Sequence, residues 1–370
     1  MKRNIGLDIL RTIAMIMIVS LHVLGKGKFI SDVNNEEFYK IALIFETLSI
    51  VAVNCYVLIT GYFQIDSKFK IKKVVNIWIK VVFYSISIYI ILLLFGQVEF
   101  STIDCIKSFF PILTNRYWFV NCYLLLYILS PFINKFINQL EKRDYQKLLI
   151  ILFIAFCLLT SILPSDFTFD KTGGYGIIWF IILYLIGAYI KRFVRCNYKN
   201  RVNLYFYFGI SMITYVAYLV IRYVCNRLNI QDMASRLYNY NFITVFISSV
   251  FLFLYFKNIE IRNSKIINIV SKIAPLTFAV YIIHEQTVLR EILYLDILNL
   301  DQLWNNAMQL VIIPVIVIMI FLICILLEKV TQNTIQKWIY NILEKFYLRL
   351  KSTRCYQKIQ YKLLQRYCQK

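Results

Sequence analysis

Apolar residues in this chain come in long runs, and the polar ones are collected between them. The first run, "LDILRTIAMIMIVSLHVLG" at 7–25, is followed by others at 41–65, 81–98, 117–134, 148–165, 172–190, 202–221, 237–256, 273–283 and 302–327. Most approach the roughly 20 residues that carry an α-helix across a bilayer. Strands are excluded, because an open sheet edge leaves its amides unpaired in lipid. The pattern predicts an all-α polytopic integral membrane bundle of about ten transmembrane helices. The short ninth run is expected to extend past His284. The first run has no small-residue cleavage site after it and nine runs follow, so it reads as a span rather than a leader.

Composition agrees. Hydrophobic residues make up 60% of the chain and charged residues 16%, against roughly a quarter charged in soluble domains. No linker or internal repeat divides it, so 1–327 reads as one membrane domain and 328–370 as a tail.

The net charge of +21 would suit a nucleic-acid binder until its distribution is considered. With the N-terminus in the cytoplasm, the inside segments 1–6, 66–80, 135–147, 191–201, 257–272 and 328–370 hold 30 Lys and Arg against six acidic residues. The outside segments 26–40, 99–116, 166–171, 222–236 and 285–301 hold 10 against twelve. This is the bias that orients membrane proteins. It places both termini in the cytoplasm and makes the charge a matter of topology, with no nucleic-acid partner. In the tail, Ile335, Trp338, Ile339, Ile342 and Phe346 recur at helical spacing among lysines and arginines. A basic amphipathic helix on the anionic inner leaflet fits, and a partner-binding helix is the alternative.

The nine cysteines show no CxxC pair and no Cys/His cluster at zinc-ligand spacing, so neither a disulfide framework nor a metal is expected. GxSxG, Walker and HExxH motifs are absent, and Gly173-Gly174 has no strand before it to make a phosphate loop.

Chemistry must then come from polar residues within the spans, which are functional candidates by default. Arg11 and His22 are eleven residues apart, three turns plus about 20°, and so share a helix face about 16 Å apart along the axis. Asp8 lies three residues before Arg11, within pairing reach. A working cation and imidazole fit this spacing; so do an arginine snorkelling to the inner headgroups and a helix-end histidine at the outer interface. His284, with Glu285 beside it, maps to the outer half of the ninth span, as His22 does to that of the first, which suggests a shared site. Alternatively, His284 is interfacial and Glu285 a solvated loop residue. Glu46 and Asn54 share a face of the second span, where Glu46 needs a partner. Trp118 belongs to an aromatic belt at the outer interface, and Asn121 faces the bundle interior or a cavity.

The Arg-x10-His of Arg11 and His22 resembles the signature of the membrane acyltransferase-3 family, ten-helix bacterial proteins that O-acetylate cell-envelope glycans. Other stretches are similar to its helices: "VNCYVLITGYF" (53–63), "YWFVNCYLLLYILSPFIN" (117–134), "GYGIIWFIILYLIGAYI" (174–190) and "PLTFAVYIIHE" (275–285). The likeness covers about 5–327. Many members carry Arg-x-x-Arg after the second helix. Here Lys70 and Lys73, in "KFKIKKVVNIWIK" (68–80), keep the spacing and charge without the guanidinium fork.

The resemblance implies an O-acetyltransferase of the bacterial cytoplasmic membrane with acetyl-CoA as donor. Its acceptor would be a capsular or exopolysaccharide glycan, and other polysaccharide-assembly proteins would be its partners. It implies that Arg11, Lys70 and Lys73 hold the donor, that His22 acts as base or acyl carrier, and that His284 is a second acid/base or orients the acceptor. Asp8, Glu285, Glu46, Asn54, Trp118 and Asn121 would support them. Two other classes compete. A transporter or flippase is expected to show discontinuous helices and a repeat between halves. A polysaccharide polymerase or ligase is expected to carry a long arginine-rich external loop, whereas the longest external loop here has 18 residues and two basic ones.

Overall fold

The computed structural model describes residues 3–30, 36–195, 199–303 and 309–352, and among these it contains helices and no strand. In chain order they are α1 (Ile5–Lys26), α2 (Glu36–Ser49), α3 (Ala52–Gln64), α4 (Ile71–Leu94), α5 (Thr102–Phe109), α6 (Trp118–Asn138), α7 (Lys142–Phe153) and α8 (Leu159–Ile162). Then come α9 (Ile177–Phe193), α10 (Arg201–Leu228), α11 (Ile243–Asn258), α12 (Ser264–Ile273), α13 (Thr277–His284), α14 (Thr287–Ile292), α15 (Gln309–Thr331) and α16 (Lys337–Ser352).

Nine stretches of the described residues are long and apolar enough to cross a membrane. A tenth, α9, has 17 residues, or about 26 Å of helix, close to the roughly 30 Å hydrocarbon core. The chain is an all-α polytopic membrane bundle, as the hydrophobic pattern predicts.

Several spans are broken. α2 and α3 form one crossing interrupted at Ile50 and Val51, and α7 and α8 are joined through a wide turn at Ile154–Leu158. The ninth span differs from expectation. It does not extend past His284; it gains its length upstream, running Ser264–His284 as α12, a tight turn at Ala274–Leu276, and α13. Pro275 supplies no amide to the ladder, which accounts for the break there. Beyond His284 the buried Gln286 caps α14, its Oε1 accepting from the Leu289 amide at 2.7 Å.

Eleven of the 13 residues of α3 are buried, and its partner α9 approaches at two glycines. A Cβ at Gly61 would lie 2.2 Å from the Tyr184 carbonyl oxygen, and one at Gly187 would lie 2.3 Å from that of Leu58. Small residues let membrane helices meet backbone to backbone, where dispersion rather than water exclusion drives association.

Polar contacts fix which helix ends lie together. Asn4 caps α1 by accepting from the Leu7 amide and donates to the Lys257 carbonyl. Arg3 donates to the Ser271 carbonyl, and Lys80 pairs with Glu328. The start of α1, the first three turns of α4, the last turn of α12 and the end of α15 therefore share one end of the bundle, the Arg11 end. The last turn of α1, the end of α13 and α14 lie at the other. α15 continues through residue 327 to Thr331 and leads by a wide turn into α16. The rest of the basic tail, 353–370, lies outside the described residues.

Candidate active site

His22 stands one turn before the end of α1, and His284 is the last residue of α13. The packing of these helices brings the two histidines together: His22 Nδ1 is 2.8 Å from His284 Nε2. On its other side, His284 Nδ1 is 2.5 Å from the Val280 carbonyl oxygen, one turn back on α13. A carbonyl can only accept, so in the neutral pair the tautomers follow. His284 carries its proton on Nδ1, its Nε2 accepts from His22 Nδ1–H, and a lone pair is left on His22 Nε2. His284 is fully buried, whereas the His22 side chain is 22% exposed. No described residue makes a hydrogen bond to His22 Nε2.

Glu285 is buried beside the pair rather than solvated. Its Oε1 lies 3.4 Å from His22 Nδ1 and has no hydrogen-bond partner, while its Oε2 accepts from Arg290 on α14 at 3.3 Å. A buried carboxylate without a full set of donors is costly, and this one is placed to stabilise positive charge on His22. Tyr281, also on α13, has its ring centroid 6.3 Å from that of His22 and stands edge-on to Tyr117.

At the Arg11 end there is a cavity of about 330 Å³. Arg11, Lys73 and Lys80 reach it, together with Tyr56, Tyr123 and Phe278. Arg11 donates to Asp8 at 3.0 Å, as its spacing predicts, and Asp8 is shared with Arg3 at 2.5 Å. Lys80 has Glu328. Lys73 has no carboxylate partner among the described residues; its ammonium sits 4.4 Å over the Tyr127 ring. Lys70 does not line the cavity. It is the N-cap of α4, where its amide donates to the Tyr127 hydroxyl at 3.1 Å.

Aromatic rings fill the space between cavity and histidines. Tyr56, whose hydroxyl pairs with Thr277 Oγ1 at 2.6 Å, meets the edge of Phe119. Phe119 stacks with Tyr123 and packs against Tyr281.

The remaining predicted residues separate into two groups. Trp118 lies 4.7 Å from Tyr175 and stacks at 6.0 Å with Tyr240. Glu46 keeps a buried Oε2 without a hydrogen-bond partner, so the expected arginine or lysine does not pair with it among the described residues. Asn54 and Asn121 are tied into the scaffold. Asn54 donates to the Tyr240 carbonyl and accepts from Trp179 Nε1. Asn121 donates to the Ile112 carbonyl and to Asn115 Oδ1.

Arg290, Tyr281, Tyr56 and Lys80 are site residues that the sequence did not single out. Glu285 had a signal, being next to a histidine. Arg290 had none, since it reads as the lone cation of an external loop.

The sequence comparisons fit this geometry. No curated protein and no solved structure matches the chain. The family model described as an acyltransferase domain matches residues 4–329, from the cap of α1 to the last turn of α15. The chain is thus a multi-pass membrane acyltransferase and belongs to the acyltransferase-3 family.

Proposed function

We propose that this protein O-acetylates a cell-surface or exported glycan in the bacterial cytoplasmic membrane, with acetyl-CoA as donor. The excess of lysine and arginine at the Arg11 end supports placing that end in the cytoplasm. Arg11, Lys73 and Lys80 then face the compartment that supplies the anionic nucleotide thioester. The rings of Tyr56, Phe119 and Tyr123 stand between this cavity and His22, and the acyl arm has to displace them to reach it.

The observation that carries the chemistry is the Val280–His284–His22 hydrogen-bond chain, because it leaves the lone pair of an oriented imidazole on an open atom. His22 Nε2 takes the proton of the acceptor hydroxyl as its oxygen attacks the thioester carbonyl. The C–S bond breaks, and the CoA thiolate leaves and is protonated. The imidazolium that forms is stabilised by Glu285 Oε1 and then gives its proton up. A positioned general base contributes about 10²–10⁴-fold. On the acceptor side, the accessible rings of Trp118 and Tyr175 offer faces on which a sugar ring can stack.

Transfer of label from radiolabelled acetyl-CoA to envelope glycan in isolated membranes tests this reading. Wild type is expected to label glycan, His22→Ala to lose at least about 10²-fold, and His284→Ala to lose less, because Glu285 remains to accept from His22 Nδ1. Equal labelling by wild type and His22→Ala, with both present in the membrane, would overturn the base role. No labelling above an empty-vector control would overturn the donor or acceptor.

A further inference from the structure

The pair of histidines and Glu285 can hold more than a proton. His22, His284 and Glu285 each offer a ligand atom, and these atoms all lie within 4.8 Å of one another. Two imidazole nitrogens and a carboxylate oxygen are the donor set that borderline divalent ions such as Zn²⁺ prefer. The outer contacts are those of a metal site. His284 Nδ1–H is held by the Val280 carbonyl, which fixes the tautomer with a lone pair on the ligating nitrogen. Glu285 Oε2 is held by Arg290, which leaves Oε1 free. That Oε1 is buried and has no hydrogen-bond partner among the described residues, so its lone pairs are not committed elsewhere.

Distances decide whether an ion fits. With Zn–N bonds of about 2.0–2.1 Å and tetrahedral angles, ligand atoms stand about 3.3–3.4 Å apart. His22 Nδ1 and Glu285 Oε1 are already 3.4 Å apart. The histidine nitrogens are 2.8 Å apart and must open by about half an ångström, a small rotation for His22 at the helix end.

We infer that His22, His284 and Glu285 form a reversible binding site for Zn²⁺ or a similar divalent ion, and that its occupancy shuts off acyl transfer. The ion replaces the proton on His22 Nδ1. That proton reappears on Nε2, since a neutral imidazole bound through one nitrogen keeps its hydrogen on the other. Nε2 then donates where it must accept, and it cannot take a proton from a hydroxyl. The sequence points to a shared site for the histidines but shows no zinc-ligand spacing, because His22 and His284 are 262 residues apart. The inhibition rests on His22 being the base; the binding does not.

Binding is measured first, by titrating Co²⁺ into tag-free, detergent-purified full-length protein and reading the visible absorption of tetrahedral cobalt, with displacement by Zn²⁺. One equivalent is expected. His284→Gln and Glu285→Gln should each weaken it at least about tenfold, while their gel-filtration profiles and far-UV circular dichroism stay those of wild type. No tetrahedral band, or equal affinity in both variants, would overturn the site. In the label-transfer assay Zn²⁺ should then suppress wild-type activity, with recovery on adding a chelator. Stoichiometric binding with undiminished or increased transfer would overturn the inhibition. Stoichiometric binding by a protein that transfers no label even in the presence of chelator leaves the site standing and fails the acetyltransferase reading instead.

Discussion

Two lysines three positions apart in the first turn of α4 have different surroundings, and the difference sorts what each contributes. Lys73 reaches the cavity and has no carboxylate partner among the described residues, so its charge is available to a phosphate. Lys70 caps α4 and lies off the cavity. Arg11 and Lys80 are partly neutralised by Asp8 and Glu328. A charge-assisted hydrogen bond is worth about 1.5–3 kcal/mol, so Lys73→Ala is expected to raise KM for acetyl-CoA about tenfold with kcat nearly unchanged. Lys70→Ala should raise it less than about threefold. Both effects should shrink with added salt, as exposed charge does, and steady-state kinetics at two ionic strengths would separate them. The resemblance singled out Lys70 and Lys73 together, through the Arg-x-x-Arg spacing they keep. It could not tell Lys73 from Lys70, because the distinction lies in which of them reaches the cavity once α4 is packed. The same holds at the other end. Arg11, Asp8, His22 and His284 were legible because an ionisable group in an apolar run is conspicuous. Arg290 was not, because its role depends on a turn that folds α14 back over Glu285.

Helix breaks are the features that the hydrophobic pattern left least visible. A run of apolar residues reports length, not continuity, so the α2–α3 interruption at Ile50 and Val51 left no mark in it. Discontinuous helices were expected of a transporter, yet this acyltransferase has them, and they serve its site. The turn around Pro275 forms part of the cavity wall, and the end of α13 at His284 lets Glu285 turn inwards. Elsewhere the element-level pattern is accurate because lipid enforces it. The α3–α9 contact shows the limit: Gly61 and Gly187 are visible in the sequence, but that each faces the other's helix is not. Substituting Val at either position would force the backbones apart, and overpacking costs about 1–3 kcal/mol. Gly61→Val and Gly187→Val are each expected to lower the thermal midpoint of the purified protein and its yield from membranes. Gly209, where an added Cβ meets nothing within 4 Å, is the control, and Gly209→Ala should behave as wild type. Equal loss at Gly209 would mean that the close approach is not what these glycines provide.

At the scale of the whole molecule, one buried ion pair ties the start of α4 to the last helices. Glu328 is completely enclosed and accepts from Lys80, from the Tyr84 hydroxyl at 2.8 Å and from Gln336 Nε2 at 3.0 Å. Lys80 also lines the cavity that Arg11 and Lys73 reach, so one side chain joins the donor site to the C-terminal helices. Removing a single partner of a buried pair strands the other charge and costs about 3–5 kcal/mol, whereas replacing both with apolar groups of similar size is often neutral. Glu328→Leu should therefore lower the thermal midpoint sharply, and Lys80→Met added to it should restore most of the loss. Activity should not return with stability, because the double variant lacks a cavity cation and its KM for acetyl-CoA should remain raised. Such a divergence would assign Lys80 both tasks. If transfer recovered in step with the midpoint, Lys80 would be holding helices together and nothing more, and donor binding would fall to Arg11 and Lys73.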